Sequence, residues 1–118
     1  MNKKEILRQY KENPPPMGIF QVKNLTNGKI FLGSGMDVKG KMNSCKFQLA
    51  HRSHMNKELQ ADFSLSGESN FSFEIIDTLE PNEDQSKIAD ELEALLQMWM
   101  EKLEPFDEKG YNKRKAKK

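Results

Sequence analysis

Cysteine is almost absent from this 118-residue chain, with Cys45 the only one. A single thiol excludes an intramolecular disulfide and a multi-cysteine metal cage, and it suits a reducing cytoplasm. Long apolar runs are missing as well. No stretch approaches the roughly 20 residues that cross a bilayer. The Lys-rich start is followed by neither an apolar segment nor a small-residue cleavage site, so neither secretion nor a membrane partner is expected. Hydrophobic residues supply 36% of the chain against 31% charged, and the mean hydropathy is -0.83. That is polar for a globular protein and points to solvated ends around one small core.

What is present is charge, unevenly placed. The net charge of +1 hides seven Lys and Arg against two Asp and Glu over residues 18–60, three against fourteen over 61–109, and five against none over 110–118. A basic first half and tail could track a phosphate backbone, whereas the acidic stretch would repel one. DNA or RNA would therefore lie on one side only, weakly and in a salt-dependent way. Ordinary solvated surface accounts for the same counts.

Residues 2–12 carry Ile6, Leu7 and Tyr10 at helical spacing, and Pro14, Pro15 and Pro16 end any helix there, so 1–16 reads as an amphipathic arm and linker. Residues 18–22 and 29–33 read as strands joined by a tight turn at Asn27-Gly28. Asp37 is placed to cap a helix reaching about Ala50, with Val38, Met42, Cys45 and Leu49 on one face. A second short helix is expected over 56–63, a polar turn over 64–70 and a third strand over 71–77. After a charged loop at 81–85, a long helix over 86–104 bears Ile88, Leu92, Leu95, Leu96, Trp99 and Leu103 as one stripe. The composition of residues 110–118 suggests a disordered basic tail. The fold class is thus α/β of the α+β type: a small three-stranded, mainly antiparallel sheet flanked by helices.

The order of these elements, together with local sequence, resembles the GIY-YIG nuclease family. Met17-Gly18-Ile19-Phe20 is similar to the first motif with Phe for tyrosine, and Phe31-Leu32-Gly33-Ser34 to the second. Asn27-Gly28-Lys29 lies between them. His54, Asn56, Leu59 and Gln60, then Gly67-Glu68 and Asn70-Phe71, match the connecting region, and Tyr111-Asn112 matches a pair after the last helix. The resemblance covers residues 17–112 and leaves 113–118 as the tail.

Phosphodiester cleavage needs a hydroxyl to relay a proton, an acidic group for a divalent cation, and a cation on the phosphate. The resemblance implies tyrosines where Phe20 and Phe31 stand, an arginine at Lys41, a histidine at Cys45 and a metal-binding glutamate at Leu96, with Asn112 intact and able to contact phosphate or backbone. Phenylalanine cannot move a proton, and lysine lacks the planar guanidinium fork. Leucine cannot ligate a hard cation. Cys45 is open to two readings, a thiolate nucleophile or a small core residue. Glu93, one turn before Leu96, is the remaining metal candidate or else a solvated charge. His51 and His54 lack a convincing third ligand, so no metal site is assigned.

Three readings follow. The first is a nuclease-like domain without hydrolysis that binds nucleic acid or regulates, through Lys23, Lys29, Lys39, Lys41, Lys46 and the tail. The second is an active endonuclease using Mg2+ or Mn2+ at a displaced site of Glu93, Lys41, His54 and Asn112. The third is a protein-interaction module using the N-terminal arm and the acidic helix. Only the second requires a cofactor.

Overall fold

The computed structural model describes residues 15–80 and 85–113. The stretches expected as an amphipathic arm and linker (1–14), a charged loop (81–84) and a tail (114–118) lie outside the described residues. Strands β1 (Met17–Asn24), β2 (Ile30–Gly35) and β3 (Phe71–Leu79) form one antiparallel sheet in the order β2-β1-β3. Around it stand α1 (Val38–Ala50), α2 (Lys57–Ser66), a 3-10 turn at Glu68–Asn70, and α3 (Gln85–Leu103). The α+β architecture is the expected one. The stretch read as a polar turn is instead a longer α2 followed by the 3-10 turn, because Gly67, at φ 86°, does not end the helix until Ser66.

The β1–β2 connection also differs from the tight turn expected. It is a five-residue loop, residues 25–29, with the Asn24 N–H donating to Lys29 O at 2.9 Å and Gly28 N–H to Asn24 O at 2.8 Å. Only Gly28 adopts a positive φ there, 79°, a region that costs glycine little. The extra length is organised by Asn24, whose Oδ1 accepts from the Thr26 N–H at 2.9 Å and its hydroxyl at 2.7 Å.

Successive strand residues point to opposite faces, and each face has its own core. Phe20, Val22 and Phe71 meet Val38, Cys45 and Leu49 of α1 and Leu59 and Phe63 of α2. Across the sheet, Ile19 and Leu32 lie under Leu92, with Leu95, Leu96, Trp99 and Leu103 packed around them. The Trp99 indole N–H donates to Asp77 at 2.8 Å, which satisfies the polar end of a half-buried ring. Helix starts are capped as the sequence suggests: the Gly40 N–H donates to Asp37 Oδ1 at 3.0 Å, and the Leu59 N–H to Asn56 Oδ1 at 3.0 Å.

Residues 110–112 are not a loose tail. β2 is an edge strand, and the C-terminal segment covers it. The Ile30 N–H donates to Lys109 O at 3.1 Å, and the Tyr111 N–H returns to Ile30 O at 2.8 Å. The Asn112 side chain accepts from the Leu32 N–H at 2.8 Å and donates to Leu32 O at 2.9 Å, as a further strand would. Tyr111 is buried, with its hydroxyl donating to Asp62 at 2.7 Å and accepting from Asn24 Nδ2 at 3.0 Å. Tyr111→Phe should cost about 1–3 kcal/mol, since it leaves the buried Asn24 amide without this partner; urea unfolding at neutral pH measures it.

Candidate nucleic-acid cleft

β1, β2 and α1 bring the candidate residues together on the α1 side of the sheet. Phe20 and Gly33 are paired across the two strands, and α1 follows β2 after two residues. Helical spacing places Lys41, Ser44, Cys45 and Gln48 along one face. These side chains, with Phe31, His54, Met55, Asn56 and Lys113, line a cleft of about 420 Å³. A side chain at position 33 would come within 2.5 Å of the Phe20 ring, so the absence of one lets that ring form the floor. Phe31 stands beside it, 6.4 Å between centroids, and meets the His54 ring edge-on at 5.5 Å.

His54 is fixed by the loop before α2. Its N–H donates to Gln60 Oε1 at 3.0 Å, while the Gln60 amide donates to Leu49 O at 3.0 Å. The Asn56 N–H donates to His54 Nδ1 at 3.0 Å, and Asn56 Nδ2 donates to Tyr111 O at 2.6 Å. With Nδ1 accepting, the proton of the neutral ring belongs on Nε2. That nitrogen lies 3.3 Å from Cys45 Sγ. Burial also lowers the pKa of His54, so the ring stays neutral.

This arrangement favours the core-residue reading of Cys45 over the nucleophile. A base for the thiol would have to accept at Nε2, where the imidazole already holds its hydrogen. Burial pushes the thiol pKa up to about 11, although Lys41 pulls the other way. Cys45 is therefore a protonated core residue whose sulfur accepts from His54.

The divalent cation implied by the family resemblance does not fit. Among the described residues no carboxylate lines the cleft, and two lysines do. Hard cations require oxygen donors, preferably anionic. Among the described residues, no three His, Cys, Asp or Glu side chains gather closely enough to hold a metal ion. Leu96 is not in the cleft; it packs with Ile19 and Leu32 across the sheet. Glu93 is exposed on α3, where it accepts from Gln97 at 3.0 Å. His51 stacks on Phe47 at 4.0 Å, with Nδ1 2.9 Å from Phe47 O, and does not join His54. Asn112 is committed to the β2 backbone. Of the proposed displaced site, only Lys41 and His54 share the cleft.

The five candidate lysines are also not one surface of free charges. Lys29 pairs with Glu58 and lies 5.4 Å over the Tyr111 ring. Lys46 sits 3.3 Å from Glu68 and 5.5 Å over Phe73. Lys23, Lys39 and Lys41 are exposed, and only Lys41 lines the cleft. Lys113, which the sequence assigned to the tail, joins it there. Ser44, Gln48 and Met55 were missed; the first two share a helical face with Lys41 and Cys45, which the spacing alone could have revealed. A second cavity of about 610 Å³ adjoins along Met55, Asn56 and Lys113 and extends to Lys57, Glu58 and Asp107.

No family model matches the chain, and no curated relative does. Among solved structures, it is similar to the catalytic domain of the intron endonuclease I-TevI in a point-mutant form, with TM-score 0.69 and 24% identity over 86% of this chain and 97% of that one. A second structure, of the catalytic domain of the homing endonuclease I-TevI, gives TM-score 0.67 and 25% identity over 84% and 99%.

Proposed function

Given that the chain has a GIY-YIG-like fold, we propose that it binds nucleic acid through the Lys41–Lys113 cleft and does not hydrolyse it. The observation that carries this reading is the composition of the cleft walls. The positions that would supply tyrosine hydroxyls are Phe20 and Phe31, and among the described residues cationic side chains line the cleft without any carboxylate. Phosphates are attracted by such a surface, while a metal-assisted attack has nothing to assemble around. The similar structures are catalytic domains of endonucleases, which supports a nucleic-acid ligand for this fold. No described helix is long and apolar enough to cross a membrane, and the single thiol at Cys45 suits the cytoplasm.

Binding of a labelled oligonucleotide, followed by fluorescence anisotropy from 50 to 300 mM salt, tests the reading. Affinity should fall linearly on a log–log plot, as expected when counterions are released on binding. Lys41→Ala and Lys113→Ala should each lower the slope by about one. Lys29→Ala should change it less, because that charge is already paired with Glu58. Affinity that does not depend on salt would remove the cleft lysines from the contact and overturn the reading.

A further inference from the structure

We propose that the cleft receives one unpaired nucleotide of a single-stranded nucleic acid, its base packed against Phe31 and His54 and its phosphates held by Lys41 and Lys113. The inference rests on the nucleic-acid reading above and specifies the form of the ligand.

Four observations support it. The cleft, at about 420 Å³, falls in the range of pockets that enclose one small ligand. A duplex could lay its backbone across the opening but could not insert a stacked base. The floor is aromatic and carries no hydroxyl: Phe31 is only half-buried, and the neutral His54 ring meets it edge-on. Every base has a π-face, so such a floor suits any unpaired base.

The polar groups form a third line of argument. The amide of Asn56 is spent on Leu59 and Tyr111. The side-chain amide of Gln48 makes only a long 3.5 Å donation to Ser44 among the described residues. It can therefore turn a donor and an acceptor toward the edge of a base. Fourth, the cations stand at the rim and the apolar rings at the floor, the order in which a nucleotide presents its phosphate and base.

The test uses the full chain with fluorescein-labelled dT12, rU12 and a 12-base-pair duplex, and a second dT strand carrying a central 2-aminopurine. At least one single strand should bind about tenfold or more tightly than the duplex at equal salt. Which of the two it is reports whether the site accepts a ribose hydroxyl. Binding should change the 2-aminopurine fluorescence, and Phe31→Leu should abolish that change while weakening single-strand binding about tenfold, the usual scale of one lost stacking contact. Phe47→Ala, outside the cleft, should leave both unchanged. Trp99 packs across the sheet, so the probe base rather than the protein carries the signal.

If Phe31→Leu shifts the melting temperature, Gln48→Ala on the cleft wall supplies the second variant and should weaken single-strand binding and alter the probe signal. Equal affinity for duplex and single strands, with both variants silent, overturns this inference while leaving salt-dependent binding in place. Loss of binding in Phe47→Ala but not in Phe31→Leu also overturns it, moving the stacking to the exposed Phe47–His51 pair. Absence of salt-dependent binding to any of the three removes the parent reading as well.

Discussion

Plasmid DNA incubated with the purified protein and magnesium or manganese should remain intact. Proton relay by tyrosine hydroxyls and metal-ion stabilisation of the developing charge each contribute on the order of a hundredfold or more in rate, and among the described residues the cleft has neither those hydroxyls nor a carboxylate for the cation. The combined deficit is at least about 10⁴. Phe20→Tyr, Phe31→Tyr and Lys41→Arg together would return hydroxyls and a guanidinium to the cleft but no metal ligand. Adding Leu96→Glu should not help, because Leu96 packs against Ile19 and Leu32 on the other side of the sheet. The new carboxylate would meet apolar neighbours and lower the melting temperature, and manganese should not raise it again. Gel assays for nicking and thermal melts with and without manganese measure both. Nicking that disappears in Glu93→Ala, with the circular dichroism unchanged, would instead locate an active site on α3.

Alkylation of Cys45 by iodoacetamide in the folded protein should run about a hundredfold more slowly at pH 8 than for an unhindered thiol. The reagent attacks the thiolate, and raising the pKa from 9.0 to about 11 lowers the thiolate fraction by that factor. The same shift predicts alkaline sensitivity. The folded pKa lies above the unfolded one, so this stabilisation is fully present below pH 9 and is lost as pH rises through 11. Burial likewise pushes Tyr111 to about 12, with the Asp62 carboxylate adding in the same direction; its share is lost between pH 10 and 12. Urea midpoints should therefore fall from pH 9 upward, and Cys45→Ala should flatten the first part of that decline. Rapid alkylation at pH 7 would restore the nucleophile reading.

Much of the cleft was legible because it is built from short spacings. The hairpin and the first helix place Phe20, Phe31, Lys41 and Cys45 by local geometry, so strand pairing and helical periodicity suffice to bring them close. The position of Leu96 was not legible. A helix remote in sequence can be registered against a family pattern, but which of its residues reach across a sheet depends on packing, and Ile19 and Leu32 draw the Leu96 face to themselves. The C-terminal cover was legible only through the resemblance, which kept Tyr111 and Asn112 with the domain and left Asn112 able to contact phosphate or backbone. Residues 110–112 look like tail by apolar content, yet they are held by backbone and amide hydrogen bonds that composition does not register. The hairpin loop was misread because Asn24 has to be seen binding Thr26 before a longer loop makes sense.

The cover over β2 also has a consequence for how the protein is made. The hairpin can pair as soon as its residues leave the ribosome, but Asn112 emerges 80 residues after Leu32. Throughout that interval β2 presents unpaired backbone groups along a free edge, a template on which neighbouring nascent chains can add strands. A polypeptide halted before Pro105 keeps that edge for good and is the species that would accumulate in inclusion bodies.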